Sequence, residues 1–300
     1  MAACDSTGAR KRLCFDTALP FDASSLWFEF LSESMTKNDT LAQTGGVTGS
    51  RNRHINQSRQ GTQAPGGSIV LVANRILLDA LLPHILGGSE SADVFNFAET
   101  LPEFYIGIEK GVGFYTYNEC MVSFAEFRKG ANDFIELELG IEAESETGPT
   151  GSFPAITARD WSAPYHFIDI TDGVTVEGTE RDCKDFSVRI DNAPVTDDFV
   201  GLTRNETLCP QDLKVTGFFE FDANSDHSDL PGAGNDQNAA TIVATHAEEA
   251  SSVLTISLAN LVWPDITPQV PGRSIFNLRL DWESLGDDTD SAIAITNAHA

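Results

Sequence analysis

An apolar and polar alternation of period two recurs along most of this chain, and it constrains the fold more than any other feature. In Phe134-Ile-Glu-Leu-Glu-Leu139, the side chains of Ile135, Leu137 and Leu139 share one side while Glu136 and Glu138 share the other, and Phe219-Glu220-Phe221-Asp222 repeats the scheme. Successive side chains of a strand point to opposite faces, so such a segment lays down one core face and one wet, negative face. Val and Phe are frequent in these stretches, and turn residues punctuate them. Strands are therefore expected near 26–34, 48–58, 67–72, 103–108, 115–127 and 133–144, and again near 164–170, 185–192, 212–222, 253–263 and 273–283. The chain is mainly β.

Two segments break the alternation. Asn74 is placed to cap a helix beginning at Arg75, in which Leu78, Leu81, Leu82 and Ile85 form one stripe, Pro83 introduces a kink and Gly87-Gly88 ends the run. After Asn238, Ala240, Val243, Ala247 and Ala250 also fall at helical spacing, which predicts a second helix. Each half then reads as strands, a helix and more strands, as in a tandem duplication. The polar, Gly- and Pro-rich stretch from Glu144 to Pro154 reads as the connection. The expected division is an N-terminal extension over 1–24, a first half over 25–150 and a second half over 151–300. Thr36 to Gly66 and Asp222 to Asn238 read as polar surface excursions.

Charge narrows the function. The chain carries 45 acidic and 19 basic residues, a net charge of −26. Such a molecule repels nucleic acid rather than gripping it. The imbalance is uneven: residues 1–75 hold eight basic and six acidic groups, and all the excess acid follows. Its cations are mostly Arg, which together with abundant Asp resembles proteins of salt-loving organisms, where molar salt screens self-repulsion. An acidic protein kept soluble by its charge is the plainer alternative.

No catalytic or metal motif emerges. The five cysteines are odd in number and lack CxxC spacing, so they read as free thiols, and the six histidines never fall at HxxxH spacing. Asp222-x-Asn224-x-Asp226 begins like a calcium loop, but His227 stands where that loop needs Gly and Ala233 where it needs Glu. No cofactor, metal or active site is expected. The start of the chain lacks the apolar run of a secretory signal, and no stretch is long and apolar enough to span a membrane, so the chain reads as soluble and made in the cytoplasm.

The order of the pieces carries a resemblance. Ser25-Leu-Trp-Phe-Glu-Phe30 leads into a polar loop with Arg51, Arg53 and Gln60-Gly61, then Gly67-Ser-Ile-Val-Leu-Val72 and the amphipathic Ile76 to Leu86. Tyr117-Asn-Glu-Cys120, Phe186-Ser-Val-Arg-Ile-Asp-Asn192 and Val215-Thr-Gly-Phe-Phe-Glu-Phe221 follow. This order is similar to the tail tube proteins of long-tailed phages, over most of residues 25–283. The resemblance implies packed antiparallel sheets flanked by a helix, and stacked rings whose inner strands close a β-barrel through which viral DNA passes without tight binding. It implies a structural protein of the virion tail, not an enzyme, with itself and other tail proteins as partners.

On that resemblance Glu136, Glu138, Glu220 and Asp222 are the candidates for an acidic bore lining, and Arg51, Arg53 and Arg59 for a contact with the acidic body of the next ring. A duplicated chain would form a ring of three that imitates six-fold symmetry; a ring of six is the alternative. A β-sandwich binding or adhesion module, or another virion component such as a capsid or distal tail protein, would share these general features. The binding module would need aromatics clustered on loops, whereas Trp27, Trp161, Trp263 and Trp282 fall mostly in strand-like segments.

Overall fold

The computed structural model describes residues 11–43, 58–129, 134–156, 169–196, 208–223, 229–230, 238–245, 251–264, 277–287 and 291–298. The first part of the chain forms β1 (Leu13–Asp16), β2 (Leu26–Phe28), β3 (Ser32–Glu33), β4 (Asp39–Gln43), β5 (Ser58–Gln63) and β6 (Gly66–Val72). Helix α1 (Arg75–Leu86) follows, then β7 (Val94–Asn96), β8 (Phe104–Glu109), β9 (Phe114–Lys129) and β10 (Glu136–Thr150). The second part forms β11 (Asp169–Val176), β12 (Thr179–Arg181), β13 (Cys183–Asp191), β14 (Val195–Thr196), β15 (Leu208–Cys209) and β16 (Lys214–Asp222). It ends with β17 (Asn238–Thr245), β18 (Val253–Val262), β19 (Asn277–Leu285) and β20 (Ile293–Ala298). All pairings are antiparallel, and the protein is mainly β with one α-helix among the described residues.

One order of strands occurs twice. The first part runs β2-β1-β8-β9-β10-β6-β3 and the second β12-β11-β17-β18-β19-β16-β13, each neighbour hydrogen-bonded to the next. Their registers correspond as well, since Ile69 faces Leu139 in β6 and β10 just as Phe219 faces Leu280 in β16 and β19. Gly67 and Gly217 occupy the same place in the two copies. A Cβ on Gly67 would lie 2.6 Å from the Ser34 carbonyl oxygen, and one on Gly217 would lie 2.0 Å from that of Ser187, so both positions exclude a side chain. The two sets join directly through β9 and β13, where Phe124–Lys129 pair with Phe186–Asp191.

Burial follows the alternation read from the sequence. Leu137, Leu139, Phe127, Val188, Phe219, Phe221 and Leu280 lie on the core side of the joined sheet, and one apolar cluster runs through both parts. Helix α1 closes the first part over this core. The Asn74 side chain accepts from the Leu77 amide at 3.0 Å, and Gly87, with φ 82°, ends the helix in the left-handed conformation that favours glycine. The second part also holds the helix, because the Asn297 side chain donates to the Arg75 carbonyl at 3.0 Å and Asn192 donates to the Ile85 carbonyl at 3.0 Å.

Where a second helix is expected the described residues form a strand, and Ala247 and Ala250 lie outside them. From Asn238 to Thr245 the chain is β17, between β11 and β18, with Ala240, Ile242 and Ala244 buried. Ala240 and Val243 satisfy helical spacing, yet Ala240, Ile242 and Ala244 satisfy period two, and the β-branched Thr241, Ile242 and Val243 pack better on a pleated surface. The polar connection from Glu144 is likewise strand as far as Thr150, the end of β10. The strand expected over 48–58 lies outside the described residues except at Ser58, which begins β5.

Candidate functional site: a polar sheet face and two arms

The joined sheet presents one wet face, and its register places all four candidate acids there. Across one row stand Glu136 on β10, Arg128 on β9, Ser187 on β13, Phe218 on β16 and Asp281 on β19. The next row holds Glu138, Glu126, Arg189, Thr216 and Glu283. On the other side of the first row come Asp185, Glu220 and Arg279, then Asp222 and Asn277. Glu136 and Glu138 arrive from the first part of the chain, Glu220 and Asp222 from the second.

The acids do not stand alone, and here sequence reasoning missed the cations. Arg128 Nε lies 3.0 Å from Glu136 and its Nη1 3.6 Å from Glu138. Arg189 reaches Glu126 at 3.6 Å and Asp191 at 3.5 Å, and its guanidinium stacks 3.8 Å from the centre of the Phe124 ring. Arg279 contacts Asp281 at 2.9 Å and stacks 3.7 Å from the centre of the Phe218 ring. Lys184 pairs with Asp222, Asn277 donates to Glu220, and Ser187 donates to Glu126 at 2.8 Å. Each exposed pair contributes no more than about 1 kcal/mol. Their larger effect is that no arginine of these rows is left without a carboxylate partner.

From the row of Phe124, Asp191 and Lys214 to that of Asp222 and Asn277, Asp185, Asp191, Asp281, Glu126 and Glu283 with the four candidates make nine carboxylates against Arg128, Lys184, Arg189, Lys214 and Arg279. The surplus is four negative charges. The face is also dished: two open depressions of about 640 and 370 Å³ adjoin at Ser187 and Phe218. An alternation signal identifies an acid on a wet face; it is blind to the arginine that pairing brings opposite from a remote strand.

Two arms leave one end of this sheet. Between β3 and β6 the chain departs as β4 and β5, a separate two-stranded sheet, and between β13 and β16 it departs as β14 and β15, another. The first is rooted where Thr36 bridges Gly66 beside Glu142 and Met121, and the second where the Asn192 and Ala193 amides donate to the Ser123 carbonyl. Lys110 braces the first root by donating to the Met35 carbonyl and lying 3.1 Å from Glu33. Arg59 is exposed on β5, whereas Arg51 and Arg53 lie outside the described residues.

The described residues show no grouped metal ligands, and burial keeps two of their thiols neutral. No group of three His, Cys, Asp or Glu side chains among them is placed to hold a metal ion. Burial pushes the thiols of Cys14 and Cys183 up to about 12, so both stay protonated and unreactive near neutrality. Among the described tryptophans, Trp263 and Trp282 are buried, and Trp263 donates to the Leu230 carbonyl at 3.0 Å.

Residues 13–283 match the protein family described as phage tail tube protein. The chain belongs to that family. No curated protein matches it at a significant level. Tail tube proteins are structural, so the chain is a virion component that resides in the tail and assembles with copies of itself and with other tail proteins. No described helix is long and apolar enough to cross a membrane.

Proposed function

We propose that this tail tube protein forms rings of three, each chain contributing two tail-tube-like halves divided near residue 150, and that the stacked rings carry viral DNA to the host through a bore lined by the dished acidic face. It performs no catalysis. The observation that carries the reading is the repeated strand order, with both copies contributing to one sheet and one wet face.

Magnitudes favour three chains over six. The path β3-β6-β10-β9-β13-β16-β19-β18 supplies eight strands per chain. Twenty-four strands at about 4.8 Å spacing and a tilt of about 40° close a barrel roughly 50 Å across, wide enough for a duplex after side chains fill part of the bore. Six such chains would double that diameter and leave the DNA far from any wall.

The surplus of carboxylates, repeated around the ring, keeps a polyanion hydrated, and the arginines held by carboxylates and phenylalanine rings are not free to grip phosphate. The edges that would otherwise aggregate disappear on closure. Arg51, Arg53 and Arg59 on the first arm then reach the acidic body of the next ring. The acidic, Arg-biased composition suits a virus of a host living in molar salt.

Electron microscopy of the purified protein in molar salt tests the reading. Tubes of stacked rings with three-fold averages are expected; dispersed monomers would overturn it, and rings of six chains would overturn the stoichiometry.

A further inference from the structure

The chain contains one junction between its two copies and leaves the matching edge open. In the repeated strand order β3 takes the place of β13. Glu33 faces Ile69 as Phe186 faces Phe219, and Thr36 bridges Gly66 as Arg189 faces Thr216, so Glu33 corresponds to Phe186 and Met35 to Val188. The outer edge of β13 is covered by β9, where Val188 pairs with Phe127. That of β3 pairs with no strand among the described residues. A head-to-tail ring repeats one join between successive units, so the strand suited to this edge comes from a second copy of the chain.

The open edge is not bare. Ser34 and Thr36 donate to the Ser68 and Gly66 carbonyls of β6, which turns the N–H and C=O of Met35 between them away from β6. The Met35 amide instead donates to the Glu33 carboxylate at 3.0 Å, and its carbonyl accepts from the Lys110 ammonium and, at 3.2 Å, from the Tyr117 hydroxyl. Lys110 also lies 3.1 Å from the Glu33 carboxylate, and these two side chains are only 20% and 21% exposed, so the pair is shielded from water. The matched residue of the second copy is the buried, apolar Phe186. An inward charge on an edge strand discourages pairing with other chains. It stands in the copy whose edge is open and is missing from the copy whose edge is covered.

We infer that Glu33 and Lys110 guard the joining edge: they occupy the backbone groups of Met35 in the free subunit and yield them to a strand of the next copy as the ring closes. This rests on the ring reading of the proposed function. Docking must then wait for the guard to open, and joining is slowed in proportion to the fraction of molecules in which it stands open.

Tube growth from the free full-length subunit, followed by light scattering, tests it. Glu33→Ala and Lys110→Met should each raise the initial growth rate about ten-fold at equal protein concentration, the effect of removing one charge-assisted bond. Circular dichroism and the thermal midpoint check that each variant folds, and either variant alone suffices. Hydrogen exchange, read by mass spectrometry on peptides covering Met35, separates guarding from plain stabilisation. In the free subunit this amide should exchange faster in Glu33→Ala than in wild type, whereas in tubes it should be equally protected in both. Growth that is unchanged or slower in the folded variants would overturn the inference, as would tubes in which protection of Met35 still depends on Glu33. Absence of tubes from the wild type would overturn the ring reading and, with it, this inference.

Discussion

The two copies of the strand order share a frame and differ in nearly everything attached to it. Between β6 and β8 the first copy inserts the twelve-residue helix α1. In the corresponding interval the described part of the second is the short turn at Leu230, held by the Trp263 bond and by Arg181, whose guanidinium contacts Asp229 at 2.6 Å. Val70 and Val72 on β6 stand where β16 carries Glu220 and Asp222, and Glu138 on β10 stands where β19 carries Arg279.

Away from the polar face the two copies diverge too. In the first copy Phe114, close to Gly107, meets Phe21 and Phe153 edge to face, with Arg12 lying 4.1 Å from the Phe153 ring centre. In the second, the corresponding row is Thr175, Thr241 and Ser257. Backbone pairing and core volume are thus held fixed while surface chemistry is free to diverge. A wet face requires only polarity at alternate positions, and many residues meet that demand.

The largest effect expected concerns the bore. Glu136→Lys with Glu138→Lys alters only the first copy, and Glu220→Lys with Asp222→Lys only the second. If both copies line the bore, each pair should make assembled tubes retain DNA at low salt, and the fourfold variant should hold it by orders of magnitude more tightly, with steep salt dependence. Filter binding to tubes measures this. Retention caused by one pair and not the other would show that only one copy faces the DNA.

Next comes the helix that both copies share. Leu82 is fully buried in α1, so Leu82→Ala should destabilise the fold by about 2–5 kcal/mol in denaturant melts. A second, earlier transition confined to the first copy would break the picture of one continuous core. The equivalent glycines give a matched pair: Gly67→Val and Gly217→Val should each cost about 1–3 kcal/mol or more, because both side chains meet backbone rather than a flexible side chain. Unequal costs would measure how far the two frames have drifted.

A subtler difference is titratable. His84, in the last turn of α1, donates from Nδ1 at 2.8 Å to the Pro102 carbonyl between Phe15 and Phe104, and burial lowers its pKa from 6.5. A carbonyl only accepts, so the neutral ring donates this bond from Nδ1. The folded state therefore binds a proton less readily than the unfolded chain, so stability is full above pH 6.5 and declines as the pH falls below it. Thermal melts of wild type and His84→Phe should diverge on acidification, with the variant lacking this component. The smallest effect belongs to the surface: Arg279→Gln should change stability by no more than about 0.5 kcal/mol, since that pair is exposed and screened.

Helix α1 was legible because its cap, stripe and terminating glycine are all local signals, and each is found in place at Asn74, Leu78 and Gly87. The region after Asn238 departs from its helical expectation for the complementary reason. Alanines at 240 and 244 with Ile242 between them fit a helix and a strand almost equally, and the decision came from β11 and β18 on either side. The wet-face placement of Glu136, Glu138, Glu220 and Asp222 could be inferred from alternation, whereas Arg128, Arg189 and Arg279 carried no signal, because pairing across the sheet is invisible along the chain.

By itself the sequence determined that the protein is mainly β, where its one described helix begins and ends, which side of each strand is wet, and that the whole is strongly acidic. These follow from interactions between residues a few positions apart and from composition. Only the tertiary structure decided that one strand order is used twice, that acids from both copies share a dished face with stacked arginines, and that two arms leave the same end. Those arrangements depend on register between strands far apart in sequence, which is set by the packing of the whole core.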